Sequence, residues 1–184
     1  MSFPDGMWTM AVLAPAMCLA GWSDYRRRRV PNWLTGSLAI GGLAVGMMSG
    51  GWSGLSQATL GLLTGLALLL GPWLIRAMGA GDVKYMAALG AWLGPTTTLW
   101  AVVAGGLLGG LMALATIVVR RQWSATAANV GTVMWKLTSA RRAMSDFGSV
   151  ASLSGVNGVM PYAIPLSVGT FCVCWFQQMG WWVP

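Results

Sequence analysis

Acid–base chemistry has few carriers in this sequence: its 184 residues include no His, no Glu and four Asp. The absence of His removes the commonest metal ligand and general base together. Two of the Asp, Asp24 and Asp82, stand directly against long apolar runs, in Trp22-Ser23-Asp24-Tyr25 and Gly79-Ala80-Gly81-Asp82-Val83-Lys84-Tyr85. An ionisable side chain at membrane depth is costly, which makes it a functional candidate. Together, two carboxylates can hydrolyse an amide: the ionised one takes a proton from water, and the protonated one polarises the carbonyl. Like charges held close cannot both ionise, so such a pair shares one proton and titrates as a unit.

Each Asp also has a plainer use. Asp82 can cap the helix that follows it by accepting a backbone N–H, and Asp24 can pair with Arg26 to Arg29. Asp24 falls near a helix end, where a negative charge opposes the helix dipole, so only Asp82 is well placed as a structural group. The same dipole argument makes Asp82 the base and Asp24 the acid, with the four Arg acting the other way. Gly79 and Gly81 are expected to let the chain turn sharply and to leave room for a substrate backbone. They do not form a dinucleotide fingerprint, since an apolar run rather than a strand precedes them. Cys18, Cys172 and Cys174 form no Cys-x-x-Cys pair and read as small packing residues. Neither a metal nor a cofactor is expected.

The elements that position these residues are membrane helices. The chain is 56% hydrophobic and 8% charged, with mean hydropathy +0.65, whereas a soluble domain carries about a quarter charged residues. Apolar runs predict an all-α, polytopic membrane protein with six spans near 7–23, 33–50, 55–75, 83–94, 97–119 and 160–181. Residues 1–184 then make a single membrane-embedded domain with an internal loop at 120–159. Every one of the 11 Lys and Arg falls in the segments 24–32, 76–84 and 120–159. These are the cytoplasmic segments by the positive-inside rule, which leaves both termini outside. Reading 85–119 as one span would move the last five basic residues to the wrong side; Gly94-Pro95 supplies the turn instead. Asp24 and Asp82 therefore meet at the cytoplasmic face, at similar depth.

The net charge of +7 follows this topology rather than a soluble basic face, so nucleic acid is not an expected partner. The lipid bilayer is. The run from Met7 to Trp22 reads as a retained span, since no basic segment precedes it. Within 120–159, the stretch Val130–Met144 is modestly amphipathic and suits contact with anionic lipid or a docking partner. The Gly- and Ser-rich stretch 148–158 reads as linker.

Three segments resemble a known family. Asp24-Tyr-Arg-Arg-Arg-Arg-Val-Pro31-Asn32 is similar to its D-x6-P-N segment. Gly79-Ala-Gly-Asp82-Val-Lys84 is similar to its GxGDxK segment, and Pro161-Tyr162-Ala-Ile-Pro165 to its closing proline motif. The family is that of the type IV prepilin peptidases, membrane aspartic proteases of the GxGD kind, and the resemblance spans roughly residues 18–170. It implies that Asp24 and Asp82 are the catalytic pair, supported by Gly79, Gly81, Lys84, Pro31, Asn32, Pro161 and Tyr162. It further implies cleavage of the short basic leader of a prepilin or pseudopilin, after a Gly, at the cytoplasmic face of the bacterial inner membrane. Long members carry a cytoplasmic insertion between the first two spans, often with paired Cys, associated with N-methylation. Here residues 24–32 make that connection without Cys, which resembles the short form that processes Flp-type (tad) pilins.

Two other classes remain at this stage. A proton- or cation-coupled transporter accounts for acids in the membrane but not for the spacing of the paired motifs. A structural assembly subunit accounts for the Gly- and Trp-rich spans and leaves both Asp idle.

Overall fold

The computed structural model describes residues 6–27, 29–74, 78–120 and 162–181, and these are helical almost throughout. Helix α1 runs Gly6–Arg27, α2 Asn32–Leu74, α3 Ala80–Arg120 and α4 Ala163–Gln178. The loop 120–159 with its amphipathic stretch, Pro161, Asp5 and Asp146 lie outside the described residues, apart from Arg120 at the end of α3.

Helices α2 and α3 contain 43 and 41 residues, and at about 1.5 Å per residue each would be roughly twice the thickness of a hydrocarbon core if straight. Neither is straight. Gly51 interrupts α2 at φ 56°, ψ −137°, and Gly94 interrupts α3 at φ 73°, ψ 172°. Both conformations lie in territory that a side chain resists. At each break the chain folds back. A β-carbon on Gly46 would lie 2.9 Å from the carbonyl oxygen of Gly54, and one on Gly90 would lie 3.2 Å from the Thr98 hydroxyl. Residues eight apart in a continuous helix are about 12 Å distant. The arms are thus 32–50 and 52–74 in α2, and 80–93 and 95–120 in α3. The expected turns at 51–54 and 95–97 tighten to single glycines. Pro95 follows Gly94 at the first position of a new arm, where its missing N–H costs nothing.

Residues 1–109 with 161–184 form one compact unit, and 110–160 form another; the site lies wholly in the first. Its central element is the first arm of α3, where every residue from Asp82 to Trp92 is buried except Lys84. Small residues let neighbouring helices approach it closely. Gly61 and Gly65, spaced Gly-x-x-x-Gly on the second arm of α2, abut the carbonyls of Gly90 and Met86. The first arm of α2 closes on the other side, where the Trp92 indole N–H donates to the Leu38 carbonyl at 2.7 Å. The second arm of α3 meets α4 at Gly105 and Gly169, and α1 packs along α4.

The outside of this unit is apolar. Trp8, Trp22, Ile40, Trp52 and Leu107 are all well exposed. Helices α2 and α3 are long and apolar enough to cross a membrane, and only 22% of the most apolar stretch of each is buried. The core helix of a water-soluble protein has the opposite pattern, apolar and covered. Of the cysteines, Cys174 is buried as expected of a packing residue, whereas Cys18 is exposed and Cys172 half-buried.

Candidate active site

Both candidate carboxylates are buried, Asp24 at 5% exposure and Asp82 at 7%, although each belongs to a residue type that is almost never covered without a partner. They come from different helices: Asp24 from the last turns of α1, Asp82 from the first turn of α3. The charge of Asp24 is felt at Asp82.

Local chemistry explains where each carboxylate is held. Gly79 precedes α3, and Asp82 is its third helical residue. The Asp82 N–H donates to the Gly79 carbonyl at 3.1 Å, and a backbone hydrogen bond from Gly79 reaches the Asp82 carboxylate. That is one half of a capping box, with Asp in the place of Glu or Gln: the carboxylate accepts the N-cap N–H, while Gly79, having no side chain, accepts through its carbonyl. The capping use of Asp82 is therefore real. Gly79 and Gly81 are not among the described glycines of positive φ, which are Gly51, Gly94 and Gly180. A β-carbon would fit at either, 3.4 Å from the Asp82 carboxylate at Gly79 and 3.5 Å from the Val30 nitrogen at Gly81. No left-handed backbone therefore requires glycine at either position.

Asp24 has a partner that its sequence neighbours did not indicate. Its carboxylate accepts the backbone N–H of Ala163, the first residue of α4, at 3.0 Å. Tyr162, which precedes that helix, offers no side-chain cap, so Asp24 supplies the cap from another helix. Arg26 instead lies over the Trp22 ring at 5.0 Å. A helix N-terminus thus faces each carboxylate, which narrows the dipole contrast between Asp82 as base and Asp24 as acid, while Asp24 keeps its place near the C-terminus of α1.

The remaining motif residues gather around these two. Pro31 starts α2, its carbonyl accepting the N–H groups of Leu34 and Thr35, and the Ser23 hydroxyl ties the connecting segment by donating to the Arg29 carbonyl at 2.9 Å. Asn32 leaves its side chain free of capping and accepts from Lys84 Nζ at 3.5 Å. The two motifs that contain the Asp residues therefore also meet through Asn32 and Lys84. Beside them opens a cleft of about 290 Å³ between both arms of α2 and the start of α3, lined by Asn32, Thr35, Ala39, Leu62, Leu66 and Lys84 among others. Tyr162 packs near Gly109 at the head of α4. No group of three or more metal-ligating side chains occurs among the described residues.

Sequence reasoning passed over two polar residues buried in this unit, Tyr85 and Ser167. Their hydroxyls are 2.7 Å apart, and Ser167 also donates to the Ala163 carbonyl at 2.6 Å. A signal was available for one of them: Tyr85 follows Asp82 by three residues, which puts both on one helix face.

Relatives from Aeromonas match the chain. It is 31% identical over 129 residues to the prepilin leader peptidase/N-methyltransferase of Aeromonas hydrophila, covering 65% of this chain and 44% of that protein. It is 30% identical, with the same coverage, to the protein of the same description from Aeromonas salmonicida strain A449. The chain thus spans less than half the length of the relatives it matches. No solved structure matches it. The sequence profile of the type IV leader peptidase family matches residues 11–114, a segment that contains Asp24, Asn32, Asp82 and Lys84; with its two long membrane-type helices, the chain is a membrane protein that belongs to the type IV leader peptidase family.

Proposed function

We propose that this chain is an aspartic endopeptidase that removes the leader peptide from type IV prepilins, with Asp24 and Asp82 as its catalytic pair. One observation carries the reading: two buried carboxylates stand on separate helices, the charge of one felt at the other, inside a segment that matches the family. In the proposed reaction, the ionised carboxylate takes a proton from water as the water attacks the scissile carbonyl. The protonated carboxylate polarises that carbonyl and then supplies the proton for the leaving amine. The cleft beside Asn32 and Lys84 gives the apolar segment of a substrate a place against α2 and α3.

The proposal places six spans in the bacterial inner membrane, with both termini periplasmic and the carboxylates at the cytoplasmic face. The breaks at Gly51 and Gly94 support it, as does the gathering of all 11 basic residues into three segments. The narrower proposal is that the substrates are Flp-type prepilins and pseudopilins. Its support is the Cys-free connection at 24–32. Membership of the family disfavours the transporter reading.

Co-expression with a candidate prepilin tests the proposal, with leader removal followed by mass spectrometry. Cleavage by the wild type that is lost in Asp24→Asn and in Asp82→Asn is the expected result. Undiminished cleavage by both variants would sink the proposal.

A further inference from the structure

Tyr85 is fully buried and Ser167 nearly so. A buried hydroxyl in an apolar helix bundle is retained only when its hydrogen bonds are made. The direction of the chain they form is fixed by proton count. Ser167 has one hydroxyl proton, and it goes to the Ala163 carbonyl at 2.6 Å. The 2.7 Å contact between Tyr85 and Ser167 is therefore made with the Tyr85 proton. The sequence of donors runs Tyr85 O–H to Ser167 Oγ, then Ser167 O–H to Ala163 C=O. From the other side of the same residue, the Ala163 N–H donates to Asp24 at 3.0 Å.

The chain of hydrogen bonds joins three helices. Tyr85 is on α3, three residues beyond Asp82; Ser167 and Ala163 are in the first turns of α4; Asp24 is on α1. We propose that Tyr85 and Ser167 are positioning residues, which lock the first turn of α4 so that the Ala163 N–H holds the Asp24 carboxylate in register with Asp82. Neither touches the carboxylates through its own hydroxyl. They act by coupling the helix that carries Asp82 to the helix end that restrains Asp24. Their effect on catalysis rests on the peptidase reading above, whereas their effect on the α4 terminus does not.

The experiment therefore has two arms on full-length protein in detergent, using wild type, Tyr85→Phe, Ser167→Ala, the double variant and Ser167→Thr. The first is amide hydrogen exchange over the opening of α4. The expected result is exchange at Ala163 about tenfold faster in Tyr85→Phe and Ser167→Ala, as for loss of one buried hydrogen bond, with Ser167→Thr restoring protection because it keeps the hydroxyl. Protection equal to wild type in both hydroxyl-deleted variants overturns the proposal, whether or not the chain cleaves prepilin. The second arm measures cleavage kinetics. A fall in kcat of about tenfold with KM unchanged, and a double variant no worse than the poorer single one, is expected of groups acting as one unit. Unchanged kcat in enzyme that still needs both Asp overturns the positioning role while leaving the peptidase reading intact. Loss of kcat that Ser167→Thr does not restore, or that is explained by a smaller folded fraction, also counts against it.

Discussion

Asp24, near the end of α1, accepts the N–H of Ala163, the first residue of α4, at 3.0 Å. One side chain thus caps a second helix and is one of the two proposed catalytic carboxylates, and substitution can separate the two duties. Asn keeps an oxygen that accepts the Ala163 N–H; Ala keeps none. Asp24→Asn should fold with wild-type stability and lose prepilin cleavage by about 10²- to 10⁴-fold, the usual worth of an acid–base group. Asp24→Ala should lose activity equally and in addition lose about 1–3 kcal/mol of stability, because a buried N–H is left without an acceptor. Thermal unfolding in detergent beside a cleavage assay reads both effects.

The packing of α2 against α3 predicts a different signature. A β-carbon on Gly90 would strike the backbone carbonyl of Gly61, which cannot rotate aside. Gly90→Ala should force the helices apart and cost about 1–3 kcal/mol or more. Gly106→Ala, on the second arm of α3 with open space beside it, should leave the unfolding midpoint at or slightly above the wild-type value, since Ala is the better helix former. Equal midpoints for the two variants would contradict the close approach.

Gly81 supplies a test of access. An added methyl there makes ordinary contacts with Val30, at 3.5 Å or more, and no left-handed backbone demands glycine. Gly81→Ala should therefore fold normally. A raised KM in that variant supports the expectation that the glycine leaves room for a substrate backbone, and wild-type kinetics would remove it.

The proposed topology makes its own prediction. Tyr25, Trp52 and Trp181 are exposed at 72%, 79% and 77%. Single Cys residues at these positions, in a chain whose Cys18, Cys172 and Cys174 are replaced by Ala, should react differently with an impermeant maleimide. Positions 52 and 181 should label from the periplasm of intact cells, and position 25 only after the membrane is opened. The reverse pattern would invert the proposed orientation.

Much of this architecture is legible in the residues because it follows from composition and breakers. Long apolar runs predict helices, and Gly94-Pro95 predicts the break in α3; both α3 arms start and stop within a few residues of expectation. The two Asp stand out because acids are scarce. The backbone contribution is what the sequence conceals. The Ala163 N–H has no side-chain signature, and its approach to Asp24 depends on packing between residues 139 apart. Gly79 and Gly81 show the converse. Their motif stands out in the sequence, yet the left-handed glycines within the long helices are Gly51 and Gly94, where the arms reverse. Tyr85 and Ser167 look like scattered polar residues until α3 and α4 bring them together.

Lys84 is the one uncovered residue in a stretch that is otherwise buried from Asp82 to Trp92. Its ammonium reaches Asn32 at 3.5 Å, the limit of a hydrogen bond, and it lines the apolar cleft. A contact that long and that exposed contributes little to folding, so Lys84→Met should unfold within about 0.5 kcal/mol of wild type. The charge has more value to a bound substrate. A charge-assisted hydrogen bond made on binding is worth about 1.5–3 kcal/mol, so its loss should raise KM roughly 10- to 100-fold with kcat retained. Lys84→Arg keeps the charge and should lie between the two. A loss confined to kcat would instead assign Lys84 to the carboxylate pair two residues away, and the split between KM and kcat tells these roles apart.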